Sequence, residues 1–367
     1  MSRLMSRWSS SIVIAVTLLL GTLSGTPAQA DDLNLCKPSA QSPVLISLPA
    51  DEAPHVVHDE WYYTTGHLRT PSGRRYGFET VVFQLTDPSS GGFITVGQIA
   101  VTDLNNRTFH HETYLVPGSF PVSTNSFHVT LPQGLTMSGG HGSIDITASL
   151  PDGYGIDLRL ESVKNPVYQA GDGLIRYIDP LTGQQIATQF YYSRPRMATF
   201  GSVTSPTGTE VAFGQAWFDH EYGTLPLPIN WEWFSIQLDD GREIMAYNLR
   251  DPRTQNTYAK FGSIQDPPRG CNVQSLGASD FTMSLQGAWI SPHTGITYPN
   301  QLGLSVPSRG MNLTLTPELA DQEVYKPAGV LRVVPPYWEG TVKVSGTVNG
   351  RPISGVGYVE MLRSPSP

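Results

Sequence analysis

The chain has 367 residues and a formal charge of −8, and 15% of its residues are charged, well under the usual quarter. The negative balance argues against a nucleic-acid partner and against binding to an anionic membrane surface. Low charge together with 36 glycines and 30 prolines favours an all-β chain over a helical one. The length leaves room for two domains, each with a sizeable core.

The first thirty residues have the pattern of a cleavable signal peptide. Arg3 and Arg7 precede an apolar run from Ile12 to Leu20, and Ala28-Gln29-Ala30 is a small-x-small cleavage site. We therefore predict that residues 1–30 are removed and that the mature protein is secreted or periplasmic. A membrane anchor is the weaker alternative, because the apolar run is too short to span a bilayer. No later segment has eighteen consecutive apolar residues, so no integral membrane segment is expected after cleavage.

Two cysteines, Cys36 and Cys271, lie in loop-like surroundings beyond this segment. An oxidising compartment and an even count favour a disulfide between them, which would hold residues 31–41 as an N-terminal leader. Two free, buried thiols are the alternative.

Reducing the Cys36–Cys271 bridge is expected to lower the free energy of unfolding by roughly a few kcal/mol, because the bond closes a very long loop in the unfolded chain. Urea unfolding with and without a reductant measures this, and peptide mapping under non-reducing conditions locates the bond. Identical unfolding curves would contradict the prediction.

In chain order, the elements are predicted to be short strands. Apolar and polar residues alternate from Ile144 to Leu150, Asp152-Gly153 forms a turn, and alternation resumes from Ile156 to Leu160. This pattern predicts a hairpin with one wet face, and it recurs around Asn349-Gly350. No long stretch has helical period. Many short strands with regular turns indicate sandwiches or barrels, and we favour antiparallel barrels of roughly eight strands.

An internal repeat divides these strands into two units. The repeated segments are His58-Asp59-Glu60-Trp61-Tyr62 with Asn230-Trp231-Glu232-Trp233-Phe234, and Gly214–His220 with Gly355–Met361. We therefore expect Trp61 to superpose on Trp233 and Trp217 to superpose on Tyr358. The repeat predicts a first domain at residues 42–225 and a second at residues 226–364.

The two copies differ where His220 of the first corresponds to Met361 of the second. On an extended backbone, His220 and Phe218 share one face of the strand, while Asp219 and Glu221 share the other. An acid that orients His220 should therefore come from another strand. The candidates for that acid are Asp59, Glu60 and Glu232. The alternative is that these acids and the nearby indoles form a hydrogen-bonded plug between the two units.

Aromatic residues are concentrated near the repeated segments. Trp61, Trp231, Trp233 and Tyr247 are either fillers of the barrel cores or the walls of a ligand site. Such walls would hold an extended apolar molecule, or a transient carbocation by cation–π attraction.

No metal site and no cofactor are predicted. The chain has no H-E-x-x-H motif, no G-x-S-x-G elbow and no dinucleotide fingerprint. The adjacent pair His110-His111 points to opposite faces of a strand, so it cannot ligate one ion inside a barrel.

Several motifs together resemble the AttH/CrtC-like lipocalin-type family over essentially the whole mature chain. They are His58–Tyr63, Tyr191–Arg196, Trp217–Gly223, Trp233–Gly241 and Tyr337–Gly340. The resemblance implies two lipocalin-like antiparallel β-barrels related by a pseudo-twofold axis. It also implies an activity like that of carotenoid 1,2-hydratases, which add water to a terminal alkene, or of the members known as predicted secreted hydrolases.

The resemblance assigns roles to individual residues. His220 matches the active histidine, Tyr222 stands where a tryptophan is expected, and Tyr247 matches a tyrosine of the following strand. The acid expected two residues after that tyrosine is Leu249 here. The candidate catalytic residues are His220, Asp219 and Tyr247, and the candidate binding residues are Trp61, Tyr222, Trp231, Trp233, Glu60 and Glu232.

We therefore expect an exported, monomeric enzyme that acts on an isoprenoid or lipid-like small molecule held between the barrels, either a hydro-lyase or a hydrolase. His220 is expected to border that cavity and to transfer protons. A non-catalytic carrier of a hydrophobic ligand is the first alternative. An accessory protein with no small ligand is the second.

Overall fold

The computed structural model describes residues 43–86, 91–226, 228–326 and 334–363. The predicted signal peptide and the leader with Cys36 lie outside these ranges, so export and the disulfide stay predictions. Within these ranges, no helix is long and apolar enough to cross a membrane. The helical segments there are short 3-10 turns at Ala50–Glu52, Gln169–Gly171 and Pro307–Arg309.

The first half of the chain forms twelve strands that pair in one antiparallel sheet. They are β1 (Asp59–Arg69), β2 (Arg75–Thr86), β3 (Phe93–Asp103), β4 (Thr108–Pro117), β5 (Phe127–Leu131), β6 (Leu135–Gly140), β7 (Ser143–Ser149), β8 (Gly155–Ser162), β9 (Val167–Tyr168), β10 (Leu174–Ile178), β11 (Gln185–Ser205) and β12 (Gly208–Gly223). Their order in the sheet is β4-β3-β2-β1-β12-β11-β8-β7-β6-β5, with β9 and β10 paired to β11.

The second half forms a ten-stranded antiparallel sheet and one small two-stranded sheet. The strands are β13 (Asn230–Leu238), β14 (Glu243–Arg250), β15 (Thr257–Gln265), β16 (Val273–Leu276), β17 (Thr282–Gln286), β18 (Trp289–Ile290), β19 (Thr297–Tyr298), β20 (Gln301–Val306), β21 (Met311–Pro317), β22 (Glu323–Val324), β23 (Tyr337–Val348) and β24 (Arg351–Leu362). The large sheet has the order β16-β15-β14-β13-β24-β23-β21-β20-β17, β22 pairs with β23, and β18 pairs with β19 apart from it.

Each large sheet curls around its own apolar core and is nearly closed. In the first, Ile99 of β3, Val129 of β5 and Leu158 of β8 belong to one buried cluster, although their strands lie far apart in the sheet order. The second sheet encloses a separate cluster that includes Phe234 and Met361. The predicted all-β fold of two barrel-like sheets is confirmed.

The predicted hairpins are also confirmed. Strands β7 and β8 pair across the Asp152-Gly153 turn, and their side chains alternate between buried and exposed. Strands β23 and β24 pair across Asn349-Gly350, where both residues have positive φ, of 48° and 74°. Such values are those of a tight two-residue hairpin turn.

A third buried cluster, the interface cluster, lies between the two sheets. Its members include Tyr63, Tyr191 and Trp217 from the first sheet, and Trp233, Tyr247, Tyr337 and Tyr358 from the second. Hydrogen bonds cross it: Tyr63 Oη donates to Glu339 Oε1 at 3.0 Å, and Trp233 Nε1 donates to Tyr191 Oη at 3.0 Å. Because β1, β12, β13 and β24 have a barrel core on one face and this cluster on the other, they are buried on both faces where they cross the cluster.

The two halves of the chain have equivalent strands, but the predicted residue-by-residue correspondence between those strands does not hold. In both halves the first strand pairs with the second strand on one side and with the last on the other, β1 with β12 and β13 with β24. Trp61 lies opposite Glu221, four residues after Trp217, whereas Trp233 lies opposite Glu360, two residues after Tyr358. The two predicted superpositions are therefore incompatible, because the registers of the two halves differ by two residues. If Trp217 corresponds to Tyr358, the counterpart of Trp233 is Tyr63, the partner of Asp219.

The close approach of β12 to β1 depends on Gly214. A Cβ at this position would lie 1.8 Å from the carbonyl oxygen of His67, a backbone atom that cannot rotate away. We expect Gly214→Ala to lower the free energy of unfolding by about 1–3 kcal/mol, measured by urea denaturation. Gly303→Ala is the matched control, because its Cβ would lie 3.2 Å from the nearest atom. Equal stability of the two variants would contradict this account.

Candidate functional site

A cavity of about 650 Å³ lies between the two sheets, within the usual size range of small-molecule sites. Its aromatic walls come from both halves: Trp61, Tyr63 and Phe83 from the first, and Trp231, Trp233, Tyr247 and Tyr337 from the second. Four carboxyl groups also face it, those of Asp59, Asp219, Glu221 and Glu360. The cavity is thus apolar over most of its wall, with acids grouped at the strands where the sheets meet.

The alternation of β12 explains why two of these acids point into the cavity. Asp219 and Glu221 are two residues apart and share the face that also carries Trp217 of the interface cluster. Glu360 of β24 occupies the position in the second repeat that Asp219 has in the first. Both strands are central in their sheets, so neither acid reaches bulk water: Asp219 is 2% exposed and Glu221 is 3% exposed.

Asp219 is held by aromatic hydrogen-bond donors. Tyr191 Oη donates to Asp219 Oδ2 at 2.7 Å, and Trp217 Nε1 donates to Asp219 Oδ1 at 2.7 Å. Tyr191 Oη in turn accepts from Trp233 Nε1 of the other sheet. Burial raises the pKa of Asp219 to about 7, although these hydrogen bonds favour the ionised form. A carboxyl group with this pKa can give or take a proton at neutral pH.

The pKa values of two neighbouring acids, Glu221 and Glu360, are raised as well. Burial, with the nearby Asp219 charge, raises the pKa of Glu221 well above its usual range, and Glu221 Oε2 has no hydrogen-bond partner among the described residues. Burial raises the pKa of Glu360 to about 8. At neutral pH the cavity therefore contains neutral carboxylic acids beside one carboxyl group close to its titration point. Environments that separate the pKa values of adjacent acids are typical of acid–base sites.

The structure brings five of the predicted site residues to this cavity: Asp219, Tyr247, Trp61, Trp231 and Trp233. Tyr247 packs edge-on against Tyr191, with ring centroids 6.4 Å apart. The position where the family resemblance implies an acid, Leu249, is fully buried in the interface cluster two residues further along β14.

The expectation that His220 borders this cavity is wrong. His220 is fully buried on the opposite face of β12, among the residues that surround the first barrel core, with its ring stacked on Tyr62 at 4.1 Å. Its Nε2 atom lies 2.9 Å from Oε1 of Glu60, so the prediction that an acid from another strand orients it is confirmed for Glu60. The sequence indicated the two faces of β12 but not which face adjoins the cavity, since both are buried.

Three further predicted site residues also lie away from the cavity lining. Glu60 and Tyr222 are on the same side as His220, where Tyr222 stacks on His55 with ring centroids 3.7 Å apart. Glu232 forms ion pairs with Arg250 and Arg363. These contacts stabilise the barrels, because a buried carboxylate requires a partner.

Sequence reasoning missed Glu221 and Glu360 as site residues. The signal was present in the repeat, where an acid recurs at equivalent positions, Asp219 and Glu360. The contrast between His220 and Met361 drew attention to a position that faces the two barrel cores instead.

The protein is therefore a two-barrel β protein with an aromatic, carboxyl-lined cavity between its barrels. The family profile described as AttH-like matches residues 39–363, so the chain belongs to the AttH-like family. The resemblance stated from the motifs is confirmed.

Known relatives share this architecture. Kievitone hydratase of Fusarium solani subsp. phaseoli is 24% identical over 213 residues, a match that spans 57% of this chain and 57% of that protein. Among solved structures, an AttH-like protein of Nitrosomonas europaea has a TM-score of 0.74 at 22% identity, covering 87% of this chain and 98% of that chain. Kievitone hydratase of Nectria haematococca has a TM-score of 0.70 at 19% identity, covering 88% and 94%. At these identities the structural likeness is one of fold.

The raised pKa of Asp219 makes stability depend on pH. The folded protein keeps a proton on Asp219 up to about pH 7, whereas the unfolded chain releases it near 3.8, so the free energy of unfolding falls as the pH rises between these values. Asp219→Asn should flatten this slope, measured by urea denaturation at pH values spanning the window. Asp157→Asn, at an exposed position of β8, is the control and should keep the slope. An unchanged slope in Asp219→Asn would show that Asp219 titrates normally.

Proposed function

We propose that the protein adds water to an alkene of an apolar small molecule, or removes it in the reverse direction, in the cavity between the sheets. The observation that carries the proposal is a group of carboxyls within aromatic walls: those of Asp219 and Glu221, which are buried, and that of Glu360, which is half-buried. Membership of the AttH-like family and the similarity to kievitone hydratase support a hydratase-like activity on a small molecule. We further propose that residues 1–30 direct export.

Hydration needs one group that protonates an alkene carbon and another that takes a proton from the attacking water. Protonated Glu221 is assigned as the acid, because burial raises its pKa well above its usual range and its Oε2 has no competing partner among the described residues. Ionised Asp219 is assigned as the base, because the hydrogen bonds from Tyr191 and Trp217 stabilise its carboxylate. The alkene gains one proton from Glu221 and one hydroxyl from water, and Asp219 takes the remaining proton.

The aromatic walls suit the intermediate of such a reaction. Protonation of an alkene leaves a carbocation, and indole faces attract cations most strongly among side chains. Trp61, Trp231 and Trp233 supply indoles to the lining from both halves. Asp219, Glu221 and Glu360 supply carboxyl groups to the cavity in place of the acid that the family resemblance implies at Leu249, so the leucine does not exclude a hydratase-like reaction.

The assignment predicts that Asp219→Asn and Glu221→Gln each lower turnover by about a hundredfold or more, with little change in fold. The assay incubates the protein with a panel of neutral isoprenoid and lipid-like alkenes in ¹⁸O-labelled water and detects incorporation by mass spectrometry. His220→Met is the comparison, because His220 is on the opposite face of the same strand from Asp219. The assignment would move to His220 if the His220→Met protein folded but was inactive while the Asp219→Asn and Glu221→Gln proteins were active.

The second candidate is a carrier of a hydrophobic ligand, favoured by the predominantly aromatic lining of the cavity. A carrier would release its ligand unaltered, without ¹⁸O. Trp61→Ala would then weaken binding while Asp219→Asn left it intact, and native mass spectrometry of protein from its own host would show the bound ligand.

A further inference from the structure

A second group of polar side chains lies on the faces of β1 and β12 that point away from the cavity. Nδ1 of His55 and Nε2 of His220 are each 2.9 Å from Oε1 of Glu60, and the three atoms lie within 4.8 Å of one another. Glu60 and His220 are fully buried, while the His55 side chain is 22% exposed. The group therefore has a buried floor and one side open to solvent.

The ion-pair partners of Glu60 distinguish it from Glu52 and Glu243, which are also buried. Glu52 pairs with Arg194 and Glu243 with Lys164 and Arg196, so each has a permanent cation beside it. In the described part of the chain, the ion pairs of Glu60 involve only the two imidazoles. A buried carboxylate that has two imidazoles beside it, and neither Lys nor Arg, is an environment that accommodates a cation.

The two imidazoles are held in place for ligation. The His55 ring stacks on Tyr222 at 3.7 Å with an interplanar angle of 5°, and the His220 ring stacks on Tyr62 at 4.1 Å. The other ring nitrogen of His55 lies 3.6 Å from Asp51 Oδ1, the outer carboxylate that often orients a metal-bound histidine. The backbone N–H of His55 donates to Glu60 Oε2 at 2.8 Å, which leaves Oε1 as the ligand atom.

We propose that His55, Glu60 and His220 form a binding site for one divalent transition-metal ion, with Zn²⁺ the best match to two imidazoles and a carboxylate. The ion would replace the two direct hydrogen bonds to Glu60 Oε1, compensate its charge and join the segment before β1 to the wall of the first barrel. The sequence did not suggest this site, because the three residues lie in separate segments and the histidine pair it displays, His110-His111, is elsewhere. The proposal is independent of the reaction in the cavity.

The test uses full-length mature protein, freed of any affinity tag and stripped with a chelator, and titrates it calorimetrically with ZnCl₂ or MgCl₂. We expect saturable binding of one Zn²⁺ per chain, a higher melting temperature with Zn²⁺, and no comparable effect of Mg²⁺. His55→Gln should weaken Zn²⁺ binding by about a hundredfold or more. His110→Gln is the matched control, because His110 also contacts a carboxylate, Asp152, but outside the group, and it should bind Zn²⁺ like the wild type.

Absence of saturable Zn²⁺ binding by the stripped wild type would overturn the proposal, and so would equal binding by a folded His55→Gln protein. If His55→Gln does not fold, the visible absorption spectrum of the wild type with bound Co²⁺ tests the site instead. Visible d–d bands with imidazole ligation, lost on addition of excess Zn²⁺, would support the site, and their absence would reject it.

Discussion

The structure depends on four strands that are buried on both faces. In β1, β12, β13 and β24, one set of alternate side chains packs into a barrel core and the other packs against the opposite sheet. Where the two sheets meet, neither face of these strands is open to water, so a polar side chain there must be satisfied internally or remain neutral. Burial raises the pKa values of the acids of β12 and β24 that face the opposite sheet, which suits them to the proton transfer proposed for the cavity.

The buried acids of the protein are stabilised in two different ways. Glu52, Glu232 and Glu243 lie beside arginine or lysine, and their role is to connect segments of the barrels. Asp219, Glu221 and Glu360 form no ion pair with a lysine or arginine of the described residues, and burial raises their pKa values. A carboxyl with an ordinary pKa would be ionised at neutral pH and could not protonate a substrate. Their raised pKa values therefore suit these three acids to the proposed proton transfer.

Much of the fold and part of the site could be predicted from the sequence. Alternation and Gly-centred turns indicated the hairpins and barrels, and the same alternation separated Asp219 from His220 and pointed to Glu60 as the partner of His220. Alternation does not indicate which face adjoins a cavity when both faces are buried, so His220 was placed on the wrong side. The register of the repeat was also ambiguous, because aromatic residues recur at every second position of both segments, and Trp231 and Trp233 match Trp61 equally well by type.

The hydrogen bonds from Tyr63 to Glu339 and from Trp233 to Tyr191 join the two barrels directly behind the cavity. Each barrel also encloses an apolar core of its own. The proposed chemistry depends on the contact between the barrels, because a separation would admit water to the cavity and return its carboxyls towards ordinary acidity. Variation at this contact would therefore act on the proposed activity through the acidity of the carboxyls, without altering a residue of either core.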